Sequence, residues 1–347
     1  MGRFEPAVTL LALVLAAGAV WSLHVEAALG LPRLMPLVVV GFAVHSALPA
    51  RFRVGFFLLL GLAGAALLLG PVGAGALVGF GLALLGACHL PVSRWLRLAL
   101  VLGLTAGLAA LRLGWVDAPR VAAVVPVVAS LFMFRLILYL HDLPHERVPV
   151  RTEMRLAYFF MLPNLCFPLF PVVDYQRFTT SHYAAPADTI HRKGVGWLLL
   201  GVVQILAYRA FHLALVTDLG DIQNAQDVAS YALNAYLQYL RISGMFHIAV
   251  AVLCLFGFDL PATNRWYFLS PSYTELWRRI NVYWKDFLQK IVYFPVFMAL
   301  RKRLGTTRSL VAATAAVFVA SWLLHAWQWF WLQGEVLLTD VDVLFWG

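Results

Sequence analysis

Apolar residues along this chain come in long runs separated by short polar breaks. A helix needs about 20 apolar residues to cross about 30 Å of hydrocarbon. Runs near that length lie at 8–29, 34–50, 54–70, 75–91, 95–113, 120–140, 195–217, 229–257 and 309–333. The pattern predicts an all-α fold, a polytopic bundle of transmembrane helices. The run 34–50 is short, which implies a tilted or incomplete crossing. Gly70-Pro71, with Gly73 and Gly75 behind it, predicts a tight turn between two helices. The first run is too long for the apolar part of a cleavable signal and reads as a spanning helix.

Two stretches depart from this pattern. Residues 156–173 are apolar but contain Pro163, Pro168 and Pro171, with Arg147, Arg151 and Arg155 before them and Arg177 after. Each proline removes a backbone donor, and such backbone lies at membrane depth only inside protein or beside a cavity. A re-entrant or broken helix is expected here, with a kinked spanning helix as the alternative. Residues 273–300 mix Trp, Tyr and Phe with charged side chains at helical spacing. That is the composition of an amphipathic helix lying in the interface, and Pro295 is expected to break or end it.

Composition narrows the function classes. Of 347 residues, 62% are hydrophobic and 12% charged, against about 45–50% and about 25% in soluble domains. A disordered chain, a disulfide scaffold and an ordinary cytosolic enzyme are excluded. Cys88, Cys166 and Cys254 fall in apolar runs without metal-ligand spacing. The net charge of +9 reads as loops facing anionic lipid and not as a nucleic-acid surface. Basic residues gather at 174–193 and 301–308, acidic ones at 218–228 and near the end, which places the first two loops in the cytoplasm. We expect one membrane domain over 1–347: plain Leu, Ala, Gly and Val helices to about 115, and the polar and aromatic texture over 120–333. The final stretch from Val343 to Gly347 reads as the start of a further membrane segment, so that the sequence is expected to be a fragment.

Ionisable groups inside a bilayer are expensive, so each is a functional candidate. His325 lies mid-run, and helical geometry puts Ser321, Trp322, Gln328 and Trp329 on its face. Burial there favours the neutral imidazole a general base needs, while a hydrogen-bonded structural histidine is the alternative. Asn281 follows Arg278 and Arg279 and has Lys285 one turn on; its carboxamide can orient a substrate, donate to an oxyanion, or simply cap a helix. Arg135, Arg209 and Arg241 interrupt apolar runs and would hold an anionic group or an internal ion pair. His212 and His247 stay open, while His24, His45 and His89 read as interfacial or hydrogen-bonded. His141-Asp142 and His145-Glu146 share a loop but lack a His-Glu-x-x-His motif or a thiolate, so no metal is expected.

These residues together resemble the membrane-bound O-acyltransferases. Trp277-Arg278-Arg279-Ile280-Asn281, then Tyr283-Trp284 and Tyr293-Phe294-Pro295, is similar to that family's Trp-Arg-Arg-aromatic-His/Asn stretch and Tyr-x-Pro element, with His325 at the place of its in-membrane histidine. Tyr236 to Ala249 resembles its Tyr-x-Asp-Phe-Ser-Gly helix, with Arg241 where the family has Asp. Phe132 to Asp142 resembles its Phe-x-x-Phe helix, and Phe159 to Pro163 its Phe-Phe-Pro element. The resemblance covers about residues 120–333 in the family's order.

The resemblance implies transfer of an acyl group from a cytoplasmic thioester, acyl-CoA or an acyl-carrier thioester, to a hydroxyl of a glycan or lipid. The donor acts as a co-substrate with no permanently bound cofactor and no metal. His325 and Asn281 are the implied catalytic residues. Arg278, Arg279 and Lys285 are implied to hold donor phosphates or lipid headgroups, with Trp322 and Gln328 lining the same site. The implied setting is a multi-pass protein of a bacterial inner membrane whose partners are donor, acceptor and lipid, with no nucleic acid. The rival readings are a transporter or flippase using Arg135, Arg241 and His247, and a catalytically inactive member acting as a scaffold.

Overall fold

The computed structural model describes residues 6–122, 124–145, 150–162, 171–216 and 218–336. Among them the fold is all-α, with a single isolated bridge between His182 and Phe258. The principal helices are α1 (Pro6–Ser22), α2 (Leu31–Ala47), α3 (Ala50–His89), α4 (Arg94–Arg112), α5 (Met133–Asp142), α6 (Thr152–Phe159), α7 (Tyr175–Ser181), α8 (Ala187–Ala214), α9 (Ala225–Leu255), α10 (Tyr273–Arg279), α11 (Val282–Leu288) and α12 (Phe294–Gln333). Among the described residues, five stretches are long and apolar enough to cross a membrane: Ala50–His89, Trp95–Arg112, Ala187–Ala214, Ala225–Leu255 and Val282–Gln333. The chain is an integral membrane protein.

The chain divides into two compact units that interleave in sequence: Met1–Gly64 with Phe160–Pro171 and Arg177–Asn281, and Ala65–Phe159 with Val172–Gln176 and Val282–Gly347. Each unit draws on both sequence halves.

In the first unit α8 and α9 approach until their backbones touch. A Cβ on Gly201 would stand 2.6 Å from the Gly244 carbonyl oxygen, and one on Gly244 would stand 2.7 Å from that of Gly201. Small residues permit this crossing, which a side chain on either glycine would prise apart. Beyond it Met245–Leu255 of α9 are buried. The expected first helix 8–29 stops at Ser22, because the chain turns through His24 and Glu26, both with positive φ, into α2. Arginines hold this turn: Arg209 of α8 donates to the Leu23 and His24 carbonyls at 2.7 and 2.8 Å, and Arg241 of α9 grips the buried Glu26 carboxylate. At the start of α9 Asn224 and Asp227 form a reciprocal capping box, which satisfies the first amides of the helix.

In the second unit the turn at Gly70-Pro71 is present as a break within α3, where Gly70 has φ 70° and ψ 172°. Gly305 breaks α12 with φ 75° and ψ 172°. That region of backbone space is open essentially to glycine alone. The basic stretch 301–308, expected as a loop, is helical around Gly305.

The interfacial helix expected over 273–300 is broken after α10: Ile280 is extended and Asn281 has φ 38° before α11 begins. Pro295 does not end a helix but sits in the first turn of α12, where its missing N–H is tolerated. A π turn, Gln289–Tyr293, immediately precedes that helix. Within the segment 156–173 the helix α6 ends at Phe159, while residues 163–170, with Pro163 and Pro168, lie outside the described residues, as does the stretch 343–347. Arg135, 1% exposed, donates from Nη1 to the Tyr158 and Phe159 carbonyls at 3.2 Å each, so its guanidinium serves the carbonyl end of α6.

Candidate functional site

His325 stands on α12 in the second unit, half-buried. Its Nδ1 lies 2.7 Å from the Ser321 carbonyl oxygen. A carbonyl can only accept, so Nδ1 carries a proton, and in the neutral ring Nε2 is then the lone-pair nitrogen. Trp284 of α11 packs edge-on against the imidazole, centroids 5.2 Å apart at 71°, and its indole N–H donates to Ser321 Oγ at 3.2 Å. Trp284 in turn meets Phe134 edge-on at 5.5 Å and stacks on Phe287 at 5.3 Å. Phe134 and Phe287 belong with Leu138, Val172 and Leu288 to a buried apolar cluster against which Trp284 and Leu324 pack. Helical spacing alone puts Ser321 beside His325; it gives no sign that Trp284, some 40 residues upstream, holds both. Trp322 and Gln328 are half-buried near His325 in sequence, and among the described residues the Trp322 indole N–H has no hydrogen-bond partner.

Asn281 closes the first unit, and its backbone N–H donates to Asn264 Oδ1 at 2.8 Å. Asn264, 6% exposed, also accepts from Tyr239 Oη at 3.2 Å and donates from Nδ2 to Ser243 Oγ at 3.1 Å and Thr263 Oγ1 at 3.3 Å. His247, one turn beyond Ser243, donates from Nδ1 to Gln204 Oε1 of α8 at 2.9 Å. Ser243 Oγ lies 3.4 Å from both Gln204 Oε1 and His247 Nδ1, so a polar chain runs from α8 through α9 to the Asn281 amide. Asn264 is a lone carboxamide in a polar loop and carries no signal in the sequence; His247, open on the sequence alone, finds its partner in Gln204.

The cations of the motif are placed unequally. Arg279 donates from Nε to Glu275 at 2.9 Å and contacts the Leu269 carbonyl at 3.4 Å. That hydrogen bond holds the Glu275 carboxyl below the usual carboxylate range. Arg278 lies 3.7 Å from the same carboxylate with 71% of its side chain exposed. In the second unit Lys285 pairs with its neighbour Asp286 at 2.9 Å. Of the three cationic side chains, that of Arg278 is the most exposed.

A charge cluster without a sequence signature lies in the second unit. Lys290, on the π turn, contacts Asp142 at 2.7 Å and also pairs with Asp174. His141 Nδ1 stands 3.0 Å from the Asp142 carboxylate. Among the described residues no three His, Cys, Asp or Glu side chains group to hold a metal.

Chemically, the His325 arrangement is an imidazole whose Nδ1 is turned to a carbonyl and whose ring packs against the Trp284 indole. Such a group can take a proton from a hydroxyl and return it to a leaving group. Compared with known proteins, the chain matches no family model and no curated protein.

Proposed function

We propose that this protein is a membrane-bound O-acyltransferase that moves an acyl group from a cytoplasmic thioester, acyl-CoA or an acyl-carrier thioester, to a hydroxyl of a glycan or lipid. The observation that carries the reading is the donation of His325 Nδ1 to the Ser321 carbonyl, with Trp284 of the Trp-Arg-Arg motif region packed on the imidazole. In this reaction Nε2 takes the acceptor's hydroxyl proton as its oxygen attacks the thioester carbonyl. The tetrahedral oxyanion then collapses, the C–S bond breaks, and the imidazolium returns its proton to the departing thiolate. Asn281 orients the acceptor or stabilises the oxyanion. Arg278 is the cation best exposed for donor phosphates or headgroups, and Trp322 and Gln328 contribute polar groups to the acceptor side. We place the protein in a bacterial inner membrane, with donor, acceptor and surrounding lipid as its partners.

A transporter reading would use Arg135, Arg241 and His247 as a substrate path. Those side chains serve helix carbonyls, Glu26 and Gln204, which favours the enzyme. The test is release of CoA from acetyl-CoA and palmitoyl-CoA by purified protein in nanodiscs, with glycan, lipid or water as acceptor. Release that falls by about 10²–10⁴ in His325→Ala supports the reading; equal release by both proteins overturns it.

A further inference from the structure

We infer that Asn264 is a positioning residue for Asn281, an inference that rests on the acyltransferase reading. Asn281 lies in the gap between α10 and α11 with φ 38°, a conformation that persists in a side-chain-bearing residue when its surroundings hold it. A helix break deprives an amide of its usual partner, and here Asn264 Oδ1 supplies one at 2.8 Å. The adjacent residue fixes a second point: the Arg265 N–H donates to the Arg279 carbonyl at 3.0 Å. Two consecutive loop residues therefore pin both ends of the turn from Arg279 to Asn281.

Asn264 is suited to this because its carboxamide is fully used. It accepts from Tyr239 and from the Asn281 amide, and it donates to Ser243 and to Thr263. Two donated and two accepted bonds exhaust what an asparagine side chain can make, so it has one orientation. Tyr239 and Ser243 belong to α9, which the Gly201–Gly244 crossing locks to α8. The backbone that carries the Asn281 carboxamide is thus referenced to the most closely packed helix pair of its unit and not to the short, exposed α10.

The experiment uses the full chain in nanodiscs, with acetyl-CoA and palmitoyl-CoA as donors and CoA release as the readout, together with hydrogen exchange at the Asn281 amide in asparagine-labelled protein. Asn264→Ala should speed that exchange by about tenfold or more. It should lower kcat about as much as Asn281→Ala does, leave the KM for acyl-CoA unchanged, and add nothing in the double variant. Asn264→Asp keeps an oxygen facing the amide and should keep exchange slow. Where Asn264→Ala does not fold, Ser243→Ala removes a partner on the far side of the carboxamide and should move exchange in the same direction by less. Unchanged exchange, or losses that multiply in the double variant, overturns the positioning role while leaving the acyltransferase reading intact. Full activity in Asn281→Ala overturns the role of Asn281, and the inference falls with it.

Discussion

Arg241 and Glu26 form a two-bond pair, Nε to Oε1 at 2.8 Å and Nη2 to Oε2 at 2.7 Å, between α9 and the turn that follows α1. Glu26 is 4% exposed and has φ 46°, so the guanidinium holds down both a buried charge and a left-handed turn. Glu26→Gln should lower stability by about 1–3 kcal/mol, read as a reduced thermal midpoint in detergent. CoA release below the new midpoint should match wild type; a loss of activity at unchanged stability would instead place Arg241 on a substrate path.

Gly70 and Gly305 share one backbone conformation, and nothing lies within 4 Å of a Cβ built on either. Substitution there strains the backbone without meeting a neighbour. Gly70→Ala and Gly305→Ala should each lower stability by about 1–3 kcal/mol, whereas Gly18→Ala, within α1 and equally open, should be neutral or slightly stabilising. Equal midpoints for all three variants would remove the backbone explanation.

Ser321 contributes to His325 through its carbonyl at 2.7 Å, its hydroxyl being at 3.5 Å. Ser321→Ala should therefore keep acyl transfer within about tenfold of wild type, while His325→Ala loses about 10²–10⁴. Trp284→Phe keeps a ring against the imidazole but not the indole N–H, and should behave like Ser321→Ala. Measured kcat values for the three variants decide this: a Ser321→Ala loss as large as that of His325→Ala would make the hydroxyl the group that matters.

His182, between α7 and α8, is held down to about 4 by burial and then by the nearby Arg53. Its ordinary value is 6.5, so between those limits the unfolded chain binds a proton that the folded chain refuses. The stability present above about pH 6.5 should therefore fall as the pH drops towards 4. Thermal midpoints across that range should decline less steeply in His182→Gln. Parallel profiles for the two proteins would mean that His182 does not contribute.

Features that depend on neighbours along the chain are legible in the sequence. Gly70-Pro71 marks the break in α3, and the four-residue step from Ser321 to His325 puts them on one face. Other local signals are present but ambiguous. Asn224 and Asp227 form a capping box inside what reads as an acidic loop, and Pro295 opens a helix where its position suggests an end. A proline's meaning depends on whether the chain ahead of it is already helical in register, and a π turn there is not visible in composition. Contacts made by tertiary approach leave no such trace. Nothing near Asn264 or Lys290 in sequence names Asn281, Asp142 or Asp174, and the turn at 23–30 is shaped by arginines about 200 residues away.

The π turn Gln289–Tyr293 and the break at Gly305 both lie on the chain between Trp284 and His325. Each residue advances an α-helix by about 100°, so deleting one residue between Gly305 and His325, within the helical stretch that carries the imidazole, would swing His325 away from the indole that faces it. Insertions and deletions should accumulate in the loop after α8 and be absent from residues 306–325. A length-variant library scored for CoA release would map that intolerance as a single block.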